Sequence, residues 1–490
     1  MGEIDYISTY IIASPLIILA IIGYWKLFTK AGKPGWAAFV PFYSTYIMLK
    51  LSGRPAWWLI WMFVPVFNLI VSICIYVDFI RSYGKFTVRQ QLAGIILGFI
   101  YLPKWGFDKT TRYLGQSATN RFKEEHENIA DKPSEVQWAA VIVIILVFIV
   151  FIRAFFVDTF YIPVVSMERS ILSGDFIVVS KLNYGARTPI TPVAFPYANH
   201  NLGGTNIKTY WDGIQWPYHR LPGFSEVKIG DVVVFNYPQD TINNRPVDKK
   251  EVYIKRCEGT PGDTVKMIDA QVYVNGKAIP NPPNGQMEYY VKTKGIGINP
   301  QVLKDLHISN MDSTAMYTMT RDAATELKRY SNVQTVTPSI FPRDLDDTIN
   351  PIFPLFYPNH IMLNGKEPNY HWSADNYGTI IVPKRGWTVK LDSMTFPIYE
   401  RAIEVYEKNK VKTVGNAIFI NGQKTNTYTF KMNYYWVLGD NRHDSEDSRY
   451  WGFVPADHII GKAILIYMSW DASAPLFDKI RWNRIFNLVH

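Results

Sequence analysis

The stretch Tyr253-Ile254-Lys255-Arg256-Cys257-Glu258-Gly259-Thr260-Pro261-Gly262-Asp263 places a lysine inside an apolar run that ends in a polar turn. Burying a charge is costly, so a lysine within a buried strand is unusual. From about Asp158 onward the chain consists of short β-type runs separated by Gly, Pro and Asn. This pattern predicts a mainly antiparallel β domain.

Local patterns in this region predict its individual elements. Strands are predicted at Phe176–Val179, Val232–Tyr237, Val252–Arg256, Val265–Ile268 and Val272–Val274. Hairpin turns are predicted at Asn275-Gly276, Asn364-Gly365 and Asn421-Gly422. An amphipathic helix is predicted around Ile398–Tyr406, and its apolar face carries Ile398, Ala402 and Val405. The stretch Gly185–Phe224, rich in Pro, Gly and aromatic residues, is predicted to be a long irregular insertion.

Two apolar runs, Tyr6–Tyr24 and Val136–Phe156, have the length of a helix that crosses a bilayer. No Lys or Arg precedes the first run, whereas Lys26 and Lys30 follow it. A cleaved secretory signal has the opposite polarity, so we expect a retained segment with its N-terminus outside. The second run is preceded by a basic linker and would deliver everything after it to the outer face of the membrane.

Three further apolar stretches lie between these runs, at Trp36–Met48, Trp57–Phe79 and Leu92–Leu102. Only the middle one is comfortably long enough to span a bilayer. We expect the first two to pair as a hairpin and the third to be re-entrant or interfacial.

The net charge of +9 comes from basic residues that cluster just after apolar stretches. This distribution is typical of a membrane protein with positive cytoplasmic segments. Because no nucleic-acid-binding module is readable, we expect no nucleic acid partner. With Cys74 in an apolar run and Cys257 in a soluble region, we expect no disulfide. No metal-binding or phosphate-loop motif is present, so neither a metal nor a cofactor is predicted.

Four clusters follow the Val136–Phe156 run in a fixed order. They are Ile162-Pro163-Val164-Val165-Ser166-Met167, Gly230–Pro238, the lysine stretch, and Gly439-Asp440-Asn441-Arg442-His443-Asp444-Ser445-Glu446-Asp447-Ser448-Arg449 with its continuation to Pro455. This order resembles the signature boxes of bacterial type I signal peptidase. The last two clusters match the family's Lys-Arg-x-x-Gly-x-Pro-Gly-Asp and Gly-Asp-Asn…Ser-x-Asp-Ser-Arg boxes at nearly every position. The resemblance extends from about Phe156 to the C-terminus, apart from insertions.

The resemblance implies a serine protease in which Ser166 is the nucleophile and Lys255 the general base. A lysine can accept a proton only when neutral, and its ordinary pKa is about 10.4. Burial in an apolar strand disfavours the ammonium and lowers that pKa. The pair is thus the Ser-Lys variant of the triad chemistry.

Other residues of the boxes take supporting roles in the family. By this match Ser445 orients the lysine, Asp447 and Arg449 buttress the site, and Arg256 is structural. Within the same boxes we expect Met167 to form an apolar wall, Cys257 to serve packing, and His443 to face solvent in its turn.

Two positions depart from the family pattern. Val164 stands where the family usually has a serine whose hydroxyl helps to stabilise the oxyanion. Loss of one such donor can cost about 10²–10³ in rate where it is used. The family's Ser-Met-x-Pro-Thr is here Ser-Met-Glu168-Arg169-Ser170.

The resemblance and the nearby membrane run together predict the substrate. Pockets lined by Phe160, Ile162, Pro163, Met167 and Ile254 would suit small side chains. Signal peptides carry small residues at the cleavage site, so we expect cleavage after small-x-small sequences such as Ala-x-Ala. The segment would bind in an extended form beside a strand. The expected partners are signal peptides of exported preproteins, the lipid bilayer and the export translocon.

The predicted architecture combines N-terminal transmembrane helices with a mainly antiparallel β catalytic domain that holds an inserted β-rich lobe. The predicted parts are a multi-helix membrane domain (1–102), a basic cytoplasmic linker (103–135), a transmembrane helix (136–157), the catalytic domain (158–279 and 430–490) and the inserted lobe (280–429). We expect a multi-pass protein of the bacterial inner membrane with its catalytic domain on the periplasmic side. The alternative is a catalytically silent membrane scaffold that binds signal peptides, which Val164 favours.

Overall fold

A computed structural model describes residues 18–63, 67–126, 147–194, 207–240, 245–295, 297–310, 315–343, 352–355, 363, 370–475 and 478–489. The chain divides into two compact units, Met1–Ile149 and Val150–His490.

The described part of the first unit is helical. Helical residues 18–30 precede the other helices. These are the 3-10 helices Gly35–Phe39 and Ala56–Phe63 and the α-helices Tyr43–Ser52, Phe67–Arg81, Val88–Ile96, Gly98–Phe107 and Asn120–Glu125. Leu27, Phe28, Ile80 and Leu102 belong to its buried core.

Within the described ranges, no helix is both long and apolar enough to cross a membrane. The predicted spans are only partly covered, because residues 6–17 and 136–146 lie outside those ranges. A helix over residues 147–155 continues the second predicted run. The stretch Trp57–Phe79 contains a 3-10 helix and an α-helix on either side of residues 64–66, which are not described.

The second unit consists mainly of strands. In chain order they are β1 Val157–Tyr161, β2 Asp175–Ser180, β3 Val232–Asn236, β4 Val252–Gly259, β5 Thr264–Ile268, β6 Gln271–Val274, β7 Lys277–Ala278, β8 Gln286–Thr293, β9 Ser309–Asn310, β10 Met316–Thr320, β11 Val333–Pro338, β12 Tyr377–Ile381, β13 Thr388–Lys390, β14 Val411–Val414, β15 Ala417–Ile420, β16 Gln423–Thr425, β17 Thr427–Thr429, β18 Tyr434–Leu438, β19 Val454–Pro455 and β20 Ile459–Ser469. The short helices are Val247–Lys249, Pro300–Asp305, Arg321–Leu327, Phe396–Arg401, Ala402–Tyr406, Ser448–Trp451, Ala456–His458 and Trp482–Arg484.

The largest sheet has seven strands in the order β1-β2-β20-β3-β4-β18-β19. All its neighbouring strands are antiparallel, as predicted. Strand β3 is buried along its whole length, and β4 is buried from Ile254 to Gly259. Such strands read as continuous apolar runs because both faces are covered. Lys255 therefore lies in the interior of the sheet.

Smaller sheets flank this one, with strand orders β12-β5-β6-β7 and β11-β8-β10-β9. The second has its own core, which includes Met287, Val291, Met319 and Leu327. A larger core joins residues of the predicted inserted lobe, such as Phe396, to β5 and to Trp436 of β18.

The local predictions are largely confirmed. Each predicted strand overlaps an observed one, with ends that differ by at most three residues. The Asn-Gly turns at 275–276 and 421–422 have positive φ at both residues, as a type I′ turn requires. The turn at 364–365 lies outside the described residues.

The predicted helix around Ile398–Tyr406 is confirmed in position but not entirely in its apolar face. Ile398 and Ala402 are buried, whereas Val405 is exposed. The α-helix Phe396–Arg401 continues as a π-helix over Ala402–Tyr406, which changes the rotation per residue. Ile403 and Tyr406 are buried in that turn instead.

Candidate active site

Ser166 and Lys255 form the centre of the candidate site. Oγ of Ser166 and Nζ of Lys255 are hydrogen-bonded at 2.6 Å. Ser166 lies in the turn after β1, and Lys255 lies in β4. Both are buried, with 7% and 3% of their surface exposed. The two residues are therefore placed for direct proton transfer.

The surroundings of Lys255 lower its pKa from the ordinary value of 10.5 to about 8. Burial in β4 is the main cause, and the positive charge of Arg449 adds to it, while the carboxylates of Asp447 and Glu446 act in the opposite direction. A neutral amine can accept a proton, so this shift makes the lysine a better base near neutral pH.

The turn that carries Ser166 is fixed at several points. Arg169 has a φ of 73°, which proline cannot adopt because its ring holds φ near −65°. The backbone conformation at this position is therefore incompatible with the proline that the family has there. Next to it, the hydroxyl of Ser170 donates a 2.5 Å hydrogen bond to Oδ2 of Asp440.

Asp440 joins this turn to the strand that carries the lysine. Both carboxylate oxygens of Asp440 accept from Arg256, at 2.8 and 2.6 Å. Arg256 also donates to the carbonyl oxygen of Gly230, at the turn before β3. The pair is almost completely buried, and two parallel hydrogen bonds give it directional specificity.

The loop after β18 contacts the turn that carries Ser166 through its backbone. The N–H of Asn441 donates to the carbonyl oxygen of Ser166 at 3.1 Å. On its other side the loop pairs with Gln286 of β8, whose N–H donates to the carbonyl oxygen of Asp440. Strand β8 thus supports the loop after β18, which in turn contacts the turn that carries Ser166.

The carboxylate of Asp447 holds the same loop by accepting several hydrogen bonds. It accepts hydrogen bonds from Arg449, from the N–H of Gly439 and from the hydroxyl of Ser445, the last at 2.9 Å. Burial alone would raise the pKa of Asp447, but the charge and hydrogen bonds of Arg449 outweigh it and hold the pKa below its ordinary value. Among the described residues, no hydrogen bond joins Ser445 to Lys255 directly.

The prediction that His443 faces solvent is wrong. Only 2% of its side chain is exposed, and the imidazole lies against Phe341. Its Nε2 is 3.0 Å from Oδ2 of Asp375, and its Nδ1 accepts from the N–H of Glu288 at 3.2 Å. Asp375 and Glu288 belong to the predicted inserted lobe (280–429) and lie 68 and 155 positions from His443 in the chain. No pattern near the histidine in sequence therefore indicated its burial.

A cleft of about 620 Å³ opens beside the Ser-Lys pair. Four predicted pocket residues line it, namely Phe160, Ile162, Pro163 and Ile254. The fifth, Met167, is wholly buried in the apolar core with Ile162 and Ile254 and is not among the lining residues. Val164 lines the cleft with half of its surface exposed. Asp444 and Glu446 are its acidic members on the loop after β18.

One edge of β4 is open along the cleft. On one side, residues Val252 to Arg256 pair with β3. On the other side β18 pairs only with Arg256, Cys257 and Gly259. In the described part of the chain the N–H of Ser166 has no hydrogen-bond acceptor. An extended peptide could pair with the open edge and present a carbonyl oxygen to that N–H.

The sequence reading left four of these residues without a role. Asp440, Asn441 and Ser170 stand inside or next to the quoted clusters, where the density of polar residues between apolar stretches is the signal that could have found them. Gln286 comes from a distant segment without any motif. Cys257 is buried in an apolar cluster with Phe235 and Trp451, which confirms the prediction that it serves packing. The hydrogen bond of its thiol to the carbonyl oxygen of Gly259 is long, at 3.5 Å.

Two family models match parts of this chain. Residues 135–335 and 381–470 match the family described as signal peptidase, peptidase S26. Residues 36–116 match a family of unknown function (DUF5684).

Three similar proteins carry the name signal peptidase I. That of Buchnera aphidicola subsp. Baizongia pistaciae is 26% identical over 325 residues, which are 66% of this chain and 74% of that protein. That of Buchnera aphidicola subsp. Schizaphis graminum is 28% identical over 70% of this chain and 78% of its own length. The Pseudomonas aeruginosa protein is 23% identical over 72% and 81%.

The antiparallel β domain and these matches define a serine endopeptidase. The chain belongs to the signal peptidase family, peptidase S26, and its activity is that of a signal peptidase.

Proposed function

We propose that Ser166 is the nucleophile and Lys255 the general base that cleave signal peptides after small-x-small sequences. The observation that carries this proposal is the 2.6 Å contact between the buried lysine and the serine at the end of an apolar cleft. The lowered pKa of the lysine supports the same roles.

The reaction follows from the position of the two groups. As Oγ of Ser166 attacks the scissile carbonyl carbon, its proton passes to the neutral Nζ of Lys255. The N–H of Ser166 stabilises the oxyanion. Collapse of the tetrahedral intermediate breaks the C–N bond, and Nζ gives its proton to the leaving amine. A water molecule then attacks the acyl carbon while the same lysine takes its proton. Collapse of this second intermediate breaks the ester C–O bond and releases the carboxylic product, and Nζ returns the proton to Oγ of Ser166.

Four residues would support this chemistry from outside the reacting pair. Arg449 and Asp447 would fix the loop after β18, and Ser445 would act on Lys255 through Asp447, to which it donates. Arg256 would hold β4 through Asp440.

The cleft supports a preference for small residues before the cut. Its apolar wall beside the pair is formed by Ile162, Pro163 and Ile254. The open edge of β4 supports binding of an extended segment by strand addition. Met167 would act by packing under Ile162 rather than by contact with substrate.

Placement at a membrane is the second part of the proposal. Its support is the pair of apolar runs Tyr6–Tyr24 and Val136–Phe156 with basic residues on their expected inner side. The protein would be a multi-pass inner-membrane protein, with residues 158–279 and 430–490 as the catalytic domain, 280–429 as an inserted lobe, and the export translocon as a neighbour.

The test uses a purified preprotein with an Ala-x-Ala site and a matched preprotein with Leu in place of the last Ala. Cleavage of the first after that Ala, with little cleavage of the second, is expected. Mass spectrometry of the two fragments locates the cut. If the enzyme binds the first preprotein without cutting it, the silent scaffold replaces the protease as the function, and the oxyanion donor missing at Val164 explains the lack of cleavage.

A further inference from the structure

A second cavity, of about 190 Å³, lies in the catalytic unit next to the cleft. Four basic side chains and two carboxylates line it: Arg153, Lys181, Arg187, Lys249, Asp158 and Asp248. Its remaining wall is largely apolar and includes Val150 and Pro192. The lining has an excess of positive charge in a confined space. Such a space attracts an anion more strongly than an open surface does, because water screens charge less there.

The carboxylates do not neutralise this excess. Asp158 is shared by Arg153, at 2.7 Å, and Lys181, at 3.1 Å. Arg187 donates to neutral groups, the carbonyl oxygen of Asp457 and the side-chain oxygen of Asn236. Within the described residues no carboxylate lies at ion-pair distance from Arg187, although the charges of Asp248 and Asp457 act on it from farther away. Four cations against two lining carboxylates still leave the cavity with an excess of positive charge. A bound anion would therefore add the negative charge that the site lacks.

Burial disfavours the charged form of these cations. It lowers the pKa of Arg187 to about 10, and it lowers the pKa of Lys181 and of Lys249 from their ordinary values. An opposite charge bound beside such a group favours its charged form and opposes this shift.

The position of the cavity indicates which anion would reach it. Val150 and Arg153 lie in the helix over residues 147–155, which continues the run Val136–Phe156 predicted to cross the bilayer. The opposite wall comes from the insertion after Gly185. From that insertion Trp211 and Trp216 project into solvent with more than half of their surface exposed. Tryptophan is enriched where membrane proteins meet the lipid headgroups.

We propose that this basic cavity binds a phosphate group, supplied by a membrane phospholipid headgroup. Phe160 and Val252 line both the cavity and the catalytic cleft, so an occupied site would hold the cleft beside the bilayer surface from which substrates emerge. Binding of the headgroup rests on the membrane placement proposed above and does not depend on peptide hydrolysis.

The test measures the thermal midpoint of the full chain in a neutral detergent during titration with three probes. They are dihexanoyl phosphatidylglycerol, inorganic phosphate and the uncharged dihexanoyl glycerol. A ligand that binds only the folded state raises the midpoint in proportion to its affinity. We expect phosphatidylglycerol to raise it and dihexanoyl glycerol not to do so. If inorganic phosphate also raises the midpoint, the site binds phosphate in general. If only phosphatidylglycerol raises it, the site binds the lipid headgroup.

The variant K181Q/K249Q should weaken phosphatidylglycerol binding about tenfold or more, because two charged contacts are lost. The charge-conserving K181R/K249R should keep most of the affinity and controls for folding. The variant K266Q/K412Q removes the same charge from β5 and β14, away from the cavity, and should bind as the wild type does. Equal binding of the phosphate-free lipid, or equal loss in both glutamine variants, would overturn the proposal.

Discussion

The hydroxyl of Ser170 donates to Oδ2 of Asp440 across 2.5 Å, and the same carboxylate oxygen accepts from Arg256 at 2.6 Å. One buried carboxylate therefore connects the turn of the nucleophile to the strand of the lysine. Ser166 and Lys255 lie 89 positions apart in the chain. We therefore expect the distance between their side chains to depend on this connection.

Replacement of Ser170 by alanine should weaken that connection. A hydrogen bond to a charged group contributes about 1.5–3 kcal/mol, so the free energy of unfolding should fall by up to that amount. The kcat should fall while KM changes little, because the substrate cleft is unaffected. Denaturant unfolding and cleavage kinetics measure the two effects. S173A is the matched control, since Ser173 donates only to the neutral carbonyl oxygen of Pro163. Equal losses in both variants would contradict the account.

Cleavage should increase as the pH rises through about 8, because Lys255 must be neutral to accept the serine proton and its pKa is lowered to about 8. The carboxylate of Glu446 raises that pKa. E446Q should therefore shift the pH profile of kcat/KM toward lower pH, by a few tenths of a unit. D444N removes a charge from the same cleft. Asp444 is not among the groups with the largest effects on the pKa of Lys255, so the pH profile of D444N should stay in place. A shift toward higher pH in E446Q would have the wrong sign.

The variant V164S should accelerate cleavage. Val164 lines the cleft two residues before the nucleophile, where a hydroxyl would supply a second donor for the oxyanion. Because one aligned donor is worth about 10²–10³ in kcat, we expect a gain of at least about tenfold. V165S places the same hydroxyl one residue away and should give no gain. A rate in V164S at or below that of V165S would show that another group already fills this role.

Ile254 should control the size of the residue accepted before the cut. I254A should cost about 2–4 kcal/mol of stability through the cavity that it leaves, and it should raise the relative kcat/KM for Val over Ala at that position about tenfold. Ile466 belongs to the same apolar core but does not line the cleft. I466A should lose similar stability without any change of preference, as competition between the two substrates would reveal.

The sequence predicted best those features for which one short stretch of residues encodes both the local structure and the functional side chain. A lysine in an apolar strand, followed by a Gly-Thr-Pro-Gly turn, predicted both β4 and the burial of Lys255. The residues that escaped prediction act over long distances in the chain. Gln286 and Asp375 come from the inserted region and meet the loop after β18 only in the folded protein, so no local pattern marks them. The prediction for His443 was wrong for the same reason, since its burial is produced by Phe341 and Asp375. The exposed Val405 reflects a π-helical turn, which periodicity of an α-helix cannot anticipate.

The most direct test of the catalytic assignment compares wild type, S166A and K255A on a preprotein with an Ala-x-Ala site. S173A and K266A serve as folded controls for each type of substitution. We predict that both active-site variants lose about 10⁴-fold or more in kcat while they retain cooperative unfolding and preprotein binding, and that the controls cut at the wild-type rate. Substantial cleavage by a folded K255A at pH 7 would contradict the account. It would show that Ser166 does not need the amine 2.6 Å away as its proton acceptor.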